Sequence, residues 1–290
     1  MTLVHKVKST VAQVAAIILC TWLSACNHLF YYPDEMVRVT PERLKISYDD
    51  HYVETKDHQR LHLWHMKSKA HKPYATVLHF HGNAENMTTH VLFVAWLTNL
   101  GFDVVTFDYR GYGSSTGFPE REGLVEDGRS ILKWTRDHAR TQDLFIIGQS
   151  LGGAVVLPAL AETQVPGVKA IVLDSTFASY RKMAQYFLDG LWLTWPLQWP
   201  LSFLVTDNYS PVDSIAQVPG PKLFMHSPGD PVVPFKAGMA LYEQTPQPKE
   251  FWPVPWSGHT AALMVEDDQI RRRLVAYLCQ HLSKPDPNCH

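Results

Sequence analysis

The run Asp143-Leu144-Phe145-Ile146-Ile147 leads directly into Gly148-Gln149-Ser150-Leu151-Gly152-Gly153. That leads in turn into Ala154-Val155-Val156-Leu157-Pro158-Ala159-Leu160-Ala161. The first block is short, apolar and branched, as a buried strand is. The last is long enough for a helix. A G-x-S-x-G between a strand and a helix reads as a sharp turn with the serine at its apex, the setting of a nucleophile elbow. Such a turn strains the serine backbone and leaves no room for a side chain at Gly148 or Gly152. It holds the Ser150 hydroxyl at the carboxyl edge of a sheet, beside the free N–H groups of a helix start, where an anion is stabilised. The motif alone also fits an ordinary strand–helix turn, so its reading depends on what surrounds it.

Outward from the elbow, apolar runs alternate with helix-spaced ones. Leu44–Glu54 and Arg60–Lys67 alternate in the manner of a hairpin, with Asp57-His58-Gln59 as the turn. Ala75–His81 and Asp103–Tyr109 read as strands. Between them Val91, Phe93, Val94, Trp96, Leu97 and Leu100 have helical spacing, stopped by Gly101. Gly123–His138 reads as a helix and Val168–Leu173 as a buried strand. The alternation resumes with Pro221–His226 (strand), Phe235–Gln244 (helix), Lys249–Val254 (strand) and Asp267–Leu282, a helix with Ile270, Leu274, Tyr277 and Leu278 on one face. This predicts an α/β domain over 44–282, with a mostly parallel sheet, helices on both faces and ligands at the carboxyl ends of the strands.

A serine hydroxyl needs a base to take its proton, and the base needs an acid to orient it. In the order Ser…acid…His, Asp230 stands in the loop His226-Ser227-Pro228-Gly229-Asp230. His259 stands in Trp256-Ser257-Gly258-His259, after the last strand. Ser150, Asp230 and His259 then follow three different strands on one sheet edge. Asp174 also ends a strand and is a rival acid. Asp207 and Asp213 fall in an insertion. His226 shares the loop of Asp230, and His281 and His290 are terminal. An oxyanion hole needs two N–H donors. Leu151 supplies one, and Asn83, in His81-Gly82-Asn83-Ala84-Glu85-Asn86, is assigned the other.

Taken together, His81-Gly82-Asn83-Ala84, Asp108-Tyr109-Arg110-Gly111-Tyr112-Gly113-Ser114-Ser115, Gly148–Gly153, Ser227–Asp230 and Gly258-His259 resemble the α/β-hydrolase superfamily, most of all its Bem46-like serine-hydrolase branch. The resemblance spans roughly 44–282. It implies the α/β-hydrolase fold, no metal or organic cofactor, and an acyl-serine intermediate. Related sequences often carry Gly where this one has Glu85, which changes the charge near the site. The segment 175–220 is another departure. It is read as a small helical cap insertion, rich in Pro and Trp, with three of the nine tryptophans (Trp192, Trp195, Trp199) within eight residues. Asp189, Gln198 and two prolines exclude a membrane span there, and Trp favours contact with a bilayer interface.

The chain has 290 residues, enough for one large domain, and a formal net charge of −2 with no basic stripe, so nucleic acid is not an expected partner. The N-terminus reads separately. His5, Lys6 and Lys8 precede an apolar stretch, Val11–Ala25, that is short for a membrane span and ends in small residues. Leu23-Ser24-Ala25-Cys26 resembles the lipobox of bacterial lipoproteins, which implies a signal peptide over 1–25 and a lipid-bearing Cys26. Asn27 in place of Asp is compatible with the outer membrane of a Gram-negative cell, facing the periplasm. Losing Lys6 and Lys8 takes the charge from −2 to −4. Several acyl chains (palmitate among them) would anchor the protein stably, where one alone binds marginally. Residues 26–43 read as a linker and 283–290 as a C-terminal tail. With Cys20 removed and Cys26 lipidated, Cys279 and Cys289 remain for a disulfide in an oxidising compartment.

The expected activity is hydrolysis of carboxylic esters (acyl esters, thioesters or lipids) at the cell envelope. The same triad also suits a peptidase or amidase, and the fold alone also suits an idle envelope binding protein.

Overall fold

The computed structural model describes residues 30–190, 198–264 and 268–289. The signal segment, Cys26 and the tryptophans Trp192 and Trp195 lie outside the described residues. A two-residue strand, β1 (Tyr32–Pro33), precedes the domain. Then come β2 (Tyr48–Glu54), β3 (Arg60–Met66), β4 (Thr76–Phe80) and a second short strand, β5 (Ala84–Glu85). A single helical turn, α1 (Met87–His90), leads to β6 (Asp103–Phe107). After that follow α2 (Arg121–His138), β7 (Leu144–Gln149), α3 (Leu151–Thr163), β8 (Val168–Asp174) and α4 (Tyr180–Asp189). The chain continues through the short helices α5 (Gln198–Ser202) and α6 (Pro211–Ser214) to β9 (Lys222–His226), α7 (Phe235–Gln244), β10 (Lys249–Pro253) and α8 (Asp268–Gln280).

Eight strands form the central sheet in the order β10-β9-β8-β7-β4-β6-β3-β2. β10 to β6 run parallel, and the hairpin β2–β3 adds two antiparallel strands at one edge. The chain winds from β4 out to β6 and then crosses back to β7 on the other side of β4. Ligand sites in open α/β sheets lie at such a reversal, beyond the carboxyl ends of the strands. Gly82 and Ser150 follow β4 and β7 there.

The continuous apolar runs are explained by burial on both faces. Ile146 of β7 packs with Leu78, Phe80, Leu124, Ile131 and Leu241 on one side. Phe145 and Ile147 pack with Val77, Val172, Leu274 and Leu278 on the other. The predicted hairpin begins later than expected, at Tyr48, because Pro41–Lys45 is a turn, closed by the Ile46 N–H on the Pro41 carbonyl.

The helix expected over 91–100 is not a regular α-helix. Past α1 the chain makes two 3₁₀ segments, Val91–Phe93 and Ala95–Leu100. Side chains take the carbonyls that α-helical bonds would need: Trp96 Nε1 donates to Phe93 O at 2.7 Å, and Thr98 Oγ1 donates to Ala95 O at 2.8 Å.

Cys279 and Cys289 are joined in a disulfide, with Cα atoms 5.6 Å apart. It holds the tail against the domain, where the Ser283 N–H and hydroxyl also donate to Asp143 at 2.7 and 2.6 Å, one residue before β7. The segment 175–220, between β8 and β9, holds α4, α5, α6 and a 3₁₀ turn at Ile215–Gln217, joined by irregular turns where described. Phe187, Trp199, Phe203 and Leu204 stand exposed on it. Among the described residues, no helix is long and apolar enough to cross a membrane.

Candidate active site

Ser150 lies between the end of β7 and the first residue of α3, at φ +52° and ψ −114°, outside both strand and helix conformations. Its N–H donates to Asp174 O at 2.8 Å, and its carbonyl accepts from Thr176 Oγ1 at 2.9 Å. The elbow therefore has a fixed backbone on both sides. The need for glycine is steric. A Cβ on Gly152 would stand 2.0 Å from Phe80 O, and one on Gly148 would stand 2.8 Å from the Gly153 Cα. Leu151 is the first residue of α3, where a backbone N–H has no partner within the helix.

Asp230 and His259 come together across two loops: His259 Nδ1 lies 2.8 Å from Asp230 Oδ2. The other Asp230 oxygen accepts the N–H groups of Val232 and Val233 at 2.8 and 2.9 Å. Burial pushes the Asp230 carboxyl up, but the bonds from His259, Val233 and Val232 outweigh it and hold it below the usual carboxylate range. The two loops are tied by Ser227 Oγ, which donates to Trp256 O at 2.6 Å. Beside His259, Thr260 at φ +52° donates its N–H to Ser175 Oγ at 3.1 Å, and Ser175 itself sits at φ +54°. Strained residues at one sheet edge are common in functional sites, because surrounding contacts must hold them.

The rival acid Asp174 is engaged elsewhere. Its carboxyl accepts from Gln149 Nε2 at 3.0 Å and from Ser175 Oγ at 3.2 Å, and burial pushes it up to about 6. Asp207 accepts from Ser179 and Ser210 and from the Arg181 N–H, so it caps the start of α4. His226 is buried, and burial lowers its pKa; its Nε2 lies 2.9 Å from Val233 O. His281 bonds the Tyr277 carbonyl at the end of α8.

The loop after β4 passes close to the serine. A Cβ on Gly82 would stand 3.9 Å from the Ser150 Cβ. Beneath it lie imidazoles held neutral by burial: His81, whose Nδ1 is 2.7 Å from Gly82 O, and His90, whose Nε2 is 2.8 Å from Ala84 O. Tyr109 and Tyr112 donate their hydroxyls to the His81 and Asn83 carbonyls at 3.0 and 2.9 Å. In the sequence these tyrosines stand within Asp108–Ser115, where nothing in residue type or spacing signals this contact. Glu85 adopts φ +64°, a left-handed conformation that costs a non-glycine residue about 1–2 kcal/mol.

The chain entering the domain lies on the outside of this loop. From Phe30 onward, the stretch read as linker is laid against the fold: Tyr31 is buried, and β1 pairs with β5. No periodicity announces this, and its partners stand some fifty residues away. Among the described residues, no group of three or more His, Cys, Asp or Glu side chains has the geometry to hold a metal ion.

Residues 71–208 match the family described as serine aminopeptidase, S33. The uncharacterized protein YfhR of Escherichia coli K12 is 34% identical over 263 residues, covering 88% of each chain. The lysophosphatidylserine lipase ABHD12 of Macaca fascicularis is 30% identical over 190 residues, covering 62% of this chain and 47% of that one. The esterase Pf2001 of Pyrococcus furiosus superposes with a TM-score of 0.69 at 22% identity, over 88% of this chain and 98% of its own, a likeness of fold. With the sheet order, the elbow after β7 and a full-length relative such as YfhR, the chain belongs to the α/β-hydrolase superfamily.

Proposed function

We propose that this chain is a serine hydrolase of the Bem46-like branch that cleaves carboxylic esters through an acyl-serine intermediate at the cell envelope. The observation that carries the reading is the pairing of His259 with a shielded, ionised Asp230 on the same sheet edge as the strained Ser150. His259 Nε2 takes the proton of the Ser150 hydroxyl as Oγ attacks the substrate carbonyl. The Leu151 and Asn83 N–H groups receive the developing oxyanion. His259 then returns the proton to the leaving alcohol or thiol, and water repeats the sequence to free the acid. Asp230 fixes the tautomer that carries the proton on Nδ1 and stabilises the charged imidazole.

An acyl or lipid substrate is favoured by the exposed Phe187, Trp199, Phe203 and Leu204 on the insertion, and by the likeness to a lysophosphatidylserine lipase. The domain division of the sequence, with signal peptide 1–25, lipid-bearing Cys26 and an outer-membrane position facing the periplasm, belongs to the same proposal. The serine aminopeptidase family match favours a second reading, cleavage of amides by the same three residues.

A fluorophosphonate probe and a series of p-nitrophenyl esters of rising chain length, alongside aminoacyl amides, test both. The expected result is labelling of Ser150 and ester turnover that falls at least about 10⁴-fold in Ser150→Ala and His259→Ala. Turnover of amides but not esters selects the second reading. Neither labelling nor turnover leaves a binding protein.

A further inference from the structure

The contacts between the incoming chain and the loop after β4 fall on the residues that surround the Asn83 N–H. Asn83 Nδ2 donates to Phe30 O at 2.6 Å, and the Tyr32 N–H approaches Asn83 Oδ1 at 3.4 Å. Asn86 Nδ2 lies 2.8 Å from Asp34 Oδ1 and 3.0 Å from Met36 O. Between these two anchored side chains stands Glu85, in its left-handed conformation. Arg38 bridges back to it: its guanidinium lies 2.6 Å from Asp34 Oδ2 and 3.6 Å from the Glu85 carboxylate.

We infer that residues 30–38 form a strap that holds the oxyanion loop in its working conformation, with Arg38 as a positioning residue that compensates for Glu85. This deepens the serine-hydrolase reading and rests on it. A glycine at 85 would reach φ near +60° without strain. Glutamate reaches it at a cost that contacts from outside the loop offset, and the strap is what touches it. An oxyanion donor acts on charge that exists only in the transition state. A loosened loop therefore lowers kcat and leaves KM nearly unchanged.

Ester turnover by the full chain in detergent, measured for wild type, Arg38→Ala, Arg38→Lys, Glu85→Gly and the Arg38→Ala/Glu85→Gly double variant, tests this. Removing an oxyanion donor outright costs about 10²–10³ in kcat, and loosening one in Arg38→Ala should cost less, about tenfold, with KM within about twofold. Arg38→Lys restores most of the loss. In the Glu85→Gly background the Arg38→Ala change costs less than about twofold, because the two positions are coupled. Equal kcat in wild type and Arg38→Ala overturns the inference, as does the same loss in both backgrounds.

Hydrogen exchange of the 82–86 amides reads the strap without catalysis. Arg38→Ala should speed it at least about fivefold, as local opening becomes easier, and unchanged exchange overturns the strap. A wild type that turns over no ester while Arg38→Ala still loosens the loop refutes the ester-hydrolase reading and leaves the strap standing.

Discussion

Asp108 lies beside the loop after β4, buried, with its Oδ1 accepting the Met87 N–H at 2.7 Å and standing 3.6 Å from His81 Nε2. Burial pushes its carboxyl up to about 7 from an ordinary value of 3.8. The sign of the effect follows from proton counting. From about pH 4 to about pH 7 the unfolded chain gives up this proton while the folded chain keeps it, so the group's contribution to stability falls as pH rises through that window, by at most about 1.4 kcal/mol per unit. Asp108→Asn keeps an acceptor for Met87 and has nothing to titrate. Denaturant midpoints at pH 5 and pH 7.5 should therefore show the variant gaining on the wild type at the higher pH. Parallel pH dependence in the two proteins would count against the burial account. Asp174 is raised by the same cause, but it is common to both proteins and cancels.

At the scale of elements, the elbow is a contact between backbones. A Cβ on Gly152 meets Phe80 O at 2.0 Å and His81 O at 2.7 Å, so α3 sits on the end of β4 with no flexible side chain between them. Gly152→Ala should cost about 3 kcal/mol, the upper range for overpacking, and with it the ester turnover. Gly190→Ala, where the nearest atom is Phe187 O at 3.6 Å, should stay within about 0.5 kcal/mol. Denaturant titration of both variants checks the contrast. This element was legible in the sequence because strand, turn and helix follow one another with no gap. The placement of Asp230 and His259 after β9 and β10 was legible because each stands in the loop that follows a segment read as a strand. The irregular 91–100 segment was not, since its apolar spacing is helical and only tertiary contacts reveal that Trp96 and Thr98 take the carbonyls. The strap was hidden too. Several of its bonds run through main-chain groups of Phe30, Tyr32 and Met36, which side-chain identity does not encode, and its side-chain contacts from Asp34 and Arg38 reach partners some fifty residues away.

The whole molecule joins one domain to a terminus that reads as a lipid anchor. On that proposal, Cys26→Ser should move the protein from the membrane fraction to the soluble periplasm while turnover of short, soluble esters stays within about twofold. Membrane fractionation and an ester assay on the same extract measure both, and a variant still sedimenting with membranes removes Cys26 as the anchor. The strap then carries a consequence for how substrate is met. The Phe30 carbonyl is fastened to Asn83, and four residue steps separate Phe30 from Cys26. At full extension these span no more than about 14 Å. An acylated Cys26 would thus be a leash too short for the catalytic mouth to leave the bilayer surface. The enzyme would graze a plane, meeting its substrate by lateral diffusion, and its rate would follow the number of substrate molecules per unit area of membrane instead of their concentration in the surrounding fluid.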